Sequence, residues 1–366
     1  MRKNNAFTRF CFNQFRKNEI KLHELNYLFW ECTRRCNLKC LHCGSDCEAE
    51  YGIPDMPFDD FYNAALPLID IYGKNTITAA ITGGEPLLRK DLASCGEQLR
   101  KAGFFWGIVT NALLYSKEKH TELLNAGMGS ITVSLDGLRG SHTWLRANAK
   151  VFDKAINAIN LISAERSLNY DVVTCVHKKN IYELPRIKEL LLSLNVMAWR
   201  LFVVDPIGRA PQNELLTLNT DETKALWDFI ADCRAHPETC VRKDGGSMNV
   251  MLYCGAYTGA DEGYLRDSFF FCRAGVHIAS ILIDGSISAC PNINRHFVQG
   301  NIYRDNLPEV WEQRFDVMRN RSWTKTGACK TCREWKHCLG GPMHLWNEKQ
   351  DAVMHCVLAA ASSCRS

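Results

Sequence analysis

The chain has no long apolar run, no strong excess of either charge, no internal repeat and no low-complexity segment. Without about 20 consecutive apolar residues, no membrane-spanning helix is expected. A net charge of +4 over 366 residues is too small to argue for nucleic acid as a partner. The start, MRKNNAFTRFCFNQFRK, has no apolar core and no small-residue cleavage site, so a secretory signal is not expected and the location is expected to be cytoplasmic.

Two things remain. The length allows one large α/β domain and a smaller second one. The 18 cysteines are far more than an unexported chain needs, and in a reducing compartment clustered thiols point to metal or redox chemistry rather than disulfides. Cys95, Cys175 and Cys233 stand alone in helical or strand patterns and are read as small buried hydrophobes.

Six short apolar runs bounded by polar residues or glycine read as strands: Asn26–Trp30, Thr76–Ile81, Phe104–Thr110, Ser130–Leu135, Tyr170–His177 and Met197–Val204. Helical spacing fills the gaps, as at Phe152, Ile156, Ile159 and Ile162, and at Ile181, Leu184, Ile187, Leu191 and Leu194. Strand–helix alternation gives parallel strands with right-handed crossovers, here a six-unit β/α barrel, open or closed. Chemistry in such barrels gathers at the C-terminal strand ends. After Pro206, Gly208 and Pro211 the alternation stops, and Thr220–Arg234 reads as one further helix opened by Thr220 or Asp221. From about Cys254 the chain turns cysteine-rich, with a hairpin at Ile278–Ile283, Asp284-Gly285 and Ser286–Ala289.

The first strand runs into CTRRCNLKCLHCGSDC, five cysteines in sixteen residues. Cys36, Cys40 and Cys43 have the spacing Cys-x3-Cys-x2-Cys. A fully caged cubane takes four thiolates, so three on one loop leave an iron open, as a catalytic metal requires. Structural zinc prefers paired CxxC elements, and none is nearby. Cys32 and Cys36 repeat the spacing, but position 39 is Lys39, so that register has no third thiol. The roles of Cys32 and Cys47 stay open.

The loop resembles the CxxxCxΦC signature of the radical S-adenosylmethionine (SAM) enzymes, with His42 at Φ. The resemblance implies that Cys36, Cys40 and Cys43 hold a 4Fe–4S cluster whose open iron is chelated by SAM, with His42 beside the adenine. Later strand ends match in family order: Thr82-Gly83-Gly84-Glu85-Pro86 resembles the GGEP motif that binds the methionine amino group, Thr110-Asn111-Ala112 the TNG element, and Ser134-Leu135-Asp136-Gly137 the SLDG element. Arg146 matches an arginine that approaches the methionine carboxylate, a pairing suited to a guanidinium. Taken alone, Asp136 is equally a turn residue before glycine, and Arg146 a solvated charge. The implied cofactor contacts are therefore His42, Gly83, Gly84, Glu85, Asn111, Ser134, Asp136 and Arg146.

The C-terminal third has Cys272, Gly285, Cys290, Cys329, Cys332, Cys338 and Cys356 in an order that resembles the SPASM extension, which carries auxiliary iron–sulfur clusters. The last closely spaced cysteine of that pattern is replaced by Pro342. One arrangement puts Cys329, Cys332, Cys338 and Cys356 around one cluster and Cys272 and Cys290, with Cys254, around a second. Another puts Cys272, Cys290, Cys329 and Cys332 around a single cluster, as in twitch-type extensions. Zinc at Cys329-x2-Cys332 is a further alternative.

The fold implied is α/β: a partial (β/α)6 barrel of the radical SAM type with a C-terminal cysteine-rich SPASM/twitch-like α+β domain. The expected parts are a basic extension at 1–25, the barrel at 26–215, a helical linker at 216–250 and the auxiliary domain at 251–366. The activity implied is reductive cleavage of SAM to a 5′-deoxyadenosyl radical that abstracts hydrogen from a substrate. Its partners would be an electron donor such as flavodoxin or ferredoxin and, by family habit, a peptide or protein to be modified. A tetrapyrrole or other small molecule is the alternative substrate, and a non-catalytic iron–sulfur or zinc scaffold the non-enzyme alternative. About 25 residues precede the first strand, so no fused peptide-recognition domain is expected. Pro291 stands where sulfatase-maturing members have aspartate, which argues against that activity. A fainter resemblance is to members encoded with lipoprotein partners. The basic arm, with six Lys/Arg against one acid through Lys21, is expected to be a solvated helix on the barrel.

Overall fold

The computed structural model describes residues 5–50, 52–254, 259–347 and 349–356. The first four residues of the expected basic extension, and 255–258, 348 and 357–366 of the expected auxiliary domain, lie outside the described residues.

All six expected strands form: β1 Tyr27–Thr33, β2 Thr78–Gly83, β3 Phe105–Thr110, β4 Ser130–Ser134, β5 Asn169–Val176 and β6 Ala198–Val203. They pair in parallel in chain order. The crossovers carry α2 Phe58–Ala65 and α3 Pro67–Tyr72, α4 Leu92–Ala102, α5 Lys117–Asn125, α6 Arg139–Arg146 and α7 Val151–Ser163, and α8 Leu184–Ser193. The apolar stripe at helical spacing is what each helix buries: Ala155, Ala158, Ile159 and Ile162 of α7 and Leu184, Ile187 and Leu191 of α8 face the sheet. Trp30, Trp106 and Trp199, each fully buried, fill the space between strands and helices.

The sheet does not stop at six strands. Beyond β6 lies β7, Asn249–Leu252, parallel and in register Ala198↔Asn249. The sequence expects only a helical linker there, because a four-residue run is too short to show a period of two. On the other side, β8 Ile278–Ile281 pairs in parallel with β1, Tyr27↔Ile278, and continues antiparallel into β9 Ser286–Ser288 and β10 Gly300–Asn301. The expected hairpin is thus real, but it extends the barrel sheet to ten strands in the order β10-β9-β8-β1-β2-β3-β4-β5-β6-β7. The cysteine-rich segment is therefore tied edge-on to the first strand.

Two local expectations are corrected. The helix α9, Thr220–Ala235, is capped by Asn219, one residue earlier than expected: its side chain accepts from the Glu222 N–H while Glu222 returns to the cap N–H. The basic arm is a helix, α1 Ala6–Leu22, capped by Asn5. It packs on the cysteine-rich segment rather than on the barrel helices. Phe12 is buried with Ala260, Phe271 and Val276, Arg9 pairs with Asp261, and Arg16 donates to the carbonyls of Lys336 at 2.8 Å and His337 at 2.5 Å. Arg9 and Arg16 are thus spent on buried acceptors while Lys17 and Lys21 stay exposed, a division that a charge count cannot foresee. Among the described residues, no helix is long and apolar enough to cross a membrane.

Candidate active site

Cys36, Cys40 and Cys43 lie on the loop that leaves the C-terminal end of β1; Cys36 and Cys40 are buried and Cys43 is half-buried. The three thiols are within electrostatic reach of one another. The end of β2 presses against this loop. Gly84 N–H donates to Thr33 O at 2.8 Å and Glu85 N–H to Arg35 O at 3.0 Å. A Cβ on Gly84 would sit 2.1 Å from the Arg35 carbonyl oxygen, and Gly83 has φ +134° with Thr33 O 2.0 Å from where its Cβ would be. The two glycines thus serve first to let two backbones touch, where the sequence suggests approach of a ligand.

Glu85 is fully buried. It accepts from the Leu87 N–H at 3.1 Å, the Thr110 hydroxyl at 2.7 Å and the Asn111 N–H at 2.8 Å. Burial pushes its carboxyl up to about 7 against those three donors. The Asn111 side-chain amide in turn reaches Asn37 Oδ1 at 2.8 Å and the Cys36 sulfur at 3.8 Å. The ends of β2 and β3 are therefore wired directly into the cysteine loop.

Asp136, after β4, is fully buried and accepts from Arg146 Nε at 2.5 Å and from the Cys175 N–H at 2.9 Å. Burial opposes its charge, but Arg146 and His142 hold the carboxyl well below the usual range. Arg146 also points an η nitrogen at the Cys40 sulfur, 3.8 Å away. It is not a solvated charge: it links Asp136 to the cysteine loop and pulls against the burial that raises the Cys40 thiol. Ser134 is buried at the end of β4. His42 is kept neutral, lowered to about 3 by burial and by Arg146, and its Nδ1 is buried without a hydrogen-bond partner. His42, Asp136 and Cys175 offer ligand atoms within 4.8 Å of one another. Cys175 is thus part of the barrel mouth, and not the isolated core thiol that its strand pattern suggests.

Cys32 is buried in β1, while the buried Cys47 donates to the Ser45 carbonyl at 4.0 Å and, as neighbour of Cys43, draws that thiol below its usual value. Sequence inspection misses one residue here. Arg209, on the loop after β6, donates to the carbonyls of Cys40 and Cys47 at 2.8 and 3.0 Å. Its only sequence signal is a position just past the sixth strand end.

The C-terminal cysteines fall into two groups. Cys329, Cys332, Cys338 and Cys356 are mutual neighbours. Cys290 has Cys254 and Cys272 beside it. A cavity of about 530 Å³ is bounded by the residues that follow Cys43 and those that follow Cys290. Gly44, Ser45 and Gly208 line it from the barrel side, and Pro291, Asn292 and Arg295 from the other. A second cavity of about 580 Å³, between α2 and α4, is lined by Cys95 but by none of the residues expected to bind metal or cofactor.

Buried and half-buried thiols gathered at a strand mouth are a donor set for a cluster. Comparison with known proteins agrees. Residues 30–191 match the radical SAM superfamily and residues 272–333 the SPASM iron–sulfur cluster-binding domain. The protein is a radical SAM enzyme with a SPASM domain. Its cofactors are accordingly a 4Fe–4S cluster, SAM and auxiliary iron–sulfur clusters. The chain is similar to the AdoMet-dependent heme synthase of Methanosarcina barkeri, 24% identical over 328 residues, covering 85% of this chain and 89% of that protein. It is also similar to the PqqA peptide cyclase of Bradyrhizobium diazoefficiens, 24% identical over 319 residues, covering 85% and 79%. The fold is shared with Streptococcus suis SuiB bound to the precursor peptide SuiA, with a TM-score of 0.69 and 15% identity over 97% of this chain and 82% of that one.

Proposed function

We propose that this enzyme modifies a peptide or protein by hydrogen abstraction, with Cys36, Cys40 and Cys43 as ligands of the SAM-binding cluster. When bound, that cluster supplies the electron that splits the sulfonium of SAM into methionine and a 5′-deoxyadenosyl radical. The chain's own residues hold the loop rigid and dry. Glu85 and Asn111 fix it from β2 and β3, Arg146 supports thiolate character at Cys40, and His42 stays neutral beside the space for the adenine. Gly83, Gly84, Ser134 and Asp136 complete the wall. Cys329, Cys332, Cys338 and Cys356 form a full four-thiolate set for one auxiliary cluster, and Cys254, Cys272 and Cys290 a partial set for a second. A flavodoxin or ferredoxin is the proposed electron donor, and the cytoplasm the proposed location, because a reducing compartment suits clustered thiols.

The observation that carries the choice of substrate is the cavity bounded by the residues that follow Cys43 and Cys290. Its Asn292 offers a paired donor and acceptor of the kind a peptide backbone uses, while the Oδ1 atoms of Asn294 and Asn347 already accept from His296 and from Lys349 and Gln350. A peptide cyclase and a peptide-bound structure among the similar proteins support the reading. Tetrapyrrole chemistry is the second reading, favoured by the heme synthase likeness over 85% of the chain. The test is anaerobic turnover with SAM and dithionite on peptides encoded beside the gene, with mass spectrometry. A peptide mass change together with 5′-deoxyadenosine supports the proposal. Conversion of a tetrapyrrole, with every such peptide unchanged, overturns it.

A further inference from the structure

Among the described residues, one cysteine group has four thiols and the other has three. Cys329, Cys332, Cys338 and Cys356 provide four thiolates, whereas Cys254, Cys272 and Cys290 provide three. Pro342 occupies the sequence position where a fourth thiolate would be expected and cannot ligate. From Pro342 the chain enters a short 3-10 turn, Met343–Leu345, which carries His344 inward. His344 is buried at 9% exposure and lines the cavity beside Pro291 and Asn292, the residues that follow Cys290. Its ring lies within electrostatic reach of the Cys254 thiol, and its Nε2 lies 2.7 Å from Asp205 Oδ2.

We propose that His344 is the fourth protein ligand of an auxiliary iron–sulfur cluster held by Cys254, Cys272 and Cys290. The assignment rests on the two-cluster reading given above. With Nε2 held by Asp205, Nδ1 is the nitrogen left for iron. A carboxylate behind an imidazole is the usual means of fixing its tautomer and direction toward a metal. Asp205 sits at the end of β6, four residues before Arg209, so the ligand would be oriented from the same loop that covers the cysteine loop. Neutral imidazole in place of a thiolate makes the cluster less negative, and histidine-for-cysteine replacement raises reduction potentials. The second centre is thus expected to accept an electron more readily than the all-thiolate one.

The experiment uses the full chain, reconstituted anaerobically, with Cys36, Cys40 and Cys43 all changed to Ala so that only auxiliary clusters load. The expected iron content is about eight per chain, two 4Fe–4S clusters. Pulsed EPR of the reduced protein should show a strongly coupled nitrogen that changes on 15N-histidine labelling, a measurement that needs no variant at His344. His344→Ala should lose the coupling. His344→Cys should keep the iron, lose the coupling and shift one midpoint potential to more negative values. About eight irons with no coupled histidine nitrogen, or a coupling that survives His344→Ala, overturns the assignment alone. About four irons overturns the two-cluster reading and this ligand with it.

Discussion

Arg209 donates from Nε to the carbonyl of Cys40 at 2.8 Å across 169 residues of chain. Its η nitrogen reaches Asp46 at 2.7 Å and the Cys47 carbonyl at 3.0 Å, and its own N–H binds the Cys43 carbonyl at 3.0 Å. The loop after the last barrel strand therefore clamps the cysteine loop on the first. Arg209→Met leaves buried carbonyls unsatisfied, a loss on the order of 3 kcal/mol in holding the loop. Iron bound by Cys36, Cys40 and Cys43 should then be lost to a chelator faster than in the parent, with auxiliary iron retained. Unchanged release would mean that the clamp is ornamental.

Gly84→Ala places a Cβ 2.1 Å from the Arg35 oxygen. Backbone cannot yield there without moving Cys36, one residue on. The variant should fold, since the contact is at a loop, but bind about four fewer irons per chain. Iron analysis after reconstitution reads this directly.

Asp136→Asn removes the partner of a buried guanidinium. Breaking such a pair costs about 3–5 kcal/mol, because the remaining charge is stranded. Denaturant unfolding of the apoprotein should show a loss of that size. Adding Arg146→Gln should recover part of it, since the two sites are in contact and not additive.

Glu85 gives a pH signature. Burial raises its folded pKa from 4.5 to about 7. Between those values the folded state binds more protons than the unfolded one, so stability falls as pH rises through this window. The shift corresponds to a loss on the order of 3 kcal/mol. Buried neutral histidines such as His42 and His177, lowered to about 3 and about 4, act in the opposite sense in acid. The comparison of parent with Glu85→Gln isolates the carboxylate. The parent apoprotein should lose more stability from pH 5 to pH 8 than the variant, and parallel curves would contradict the burial argument.

Much of this was legible because it is local. Strand runs and the Cys36 loop are contiguous segments whose side chains report their own surroundings, and the six barrel strands lie within a few residues of their sequence limits. What was hidden depends on distant chain. Nothing in a four-residue run at Asn249–Leu252 announces a seventh parallel strand, and nothing in Ile278–Ile281 announces β1 as its neighbour. Cys175 reads as a core residue because strand alternation cannot show that the strand end opens onto His42 and Asp136. Arg209 and His344 are single polar residues whose partners come from other elements.

The most direct measurement is anaerobic incubation of the reconstituted protein with SAM and dithionite, read by chromatography for 5′-deoxyadenosine. The parent should form it. A variant with Cys36, Cys40 and Cys43 all replaced by Ala should form none while keeping its auxiliary iron. No 5′-deoxyadenosine from fully loaded parent, or undiminished formation by the triple variant, would contradict the assignment of these three cysteines to the SAM-cleaving cluster.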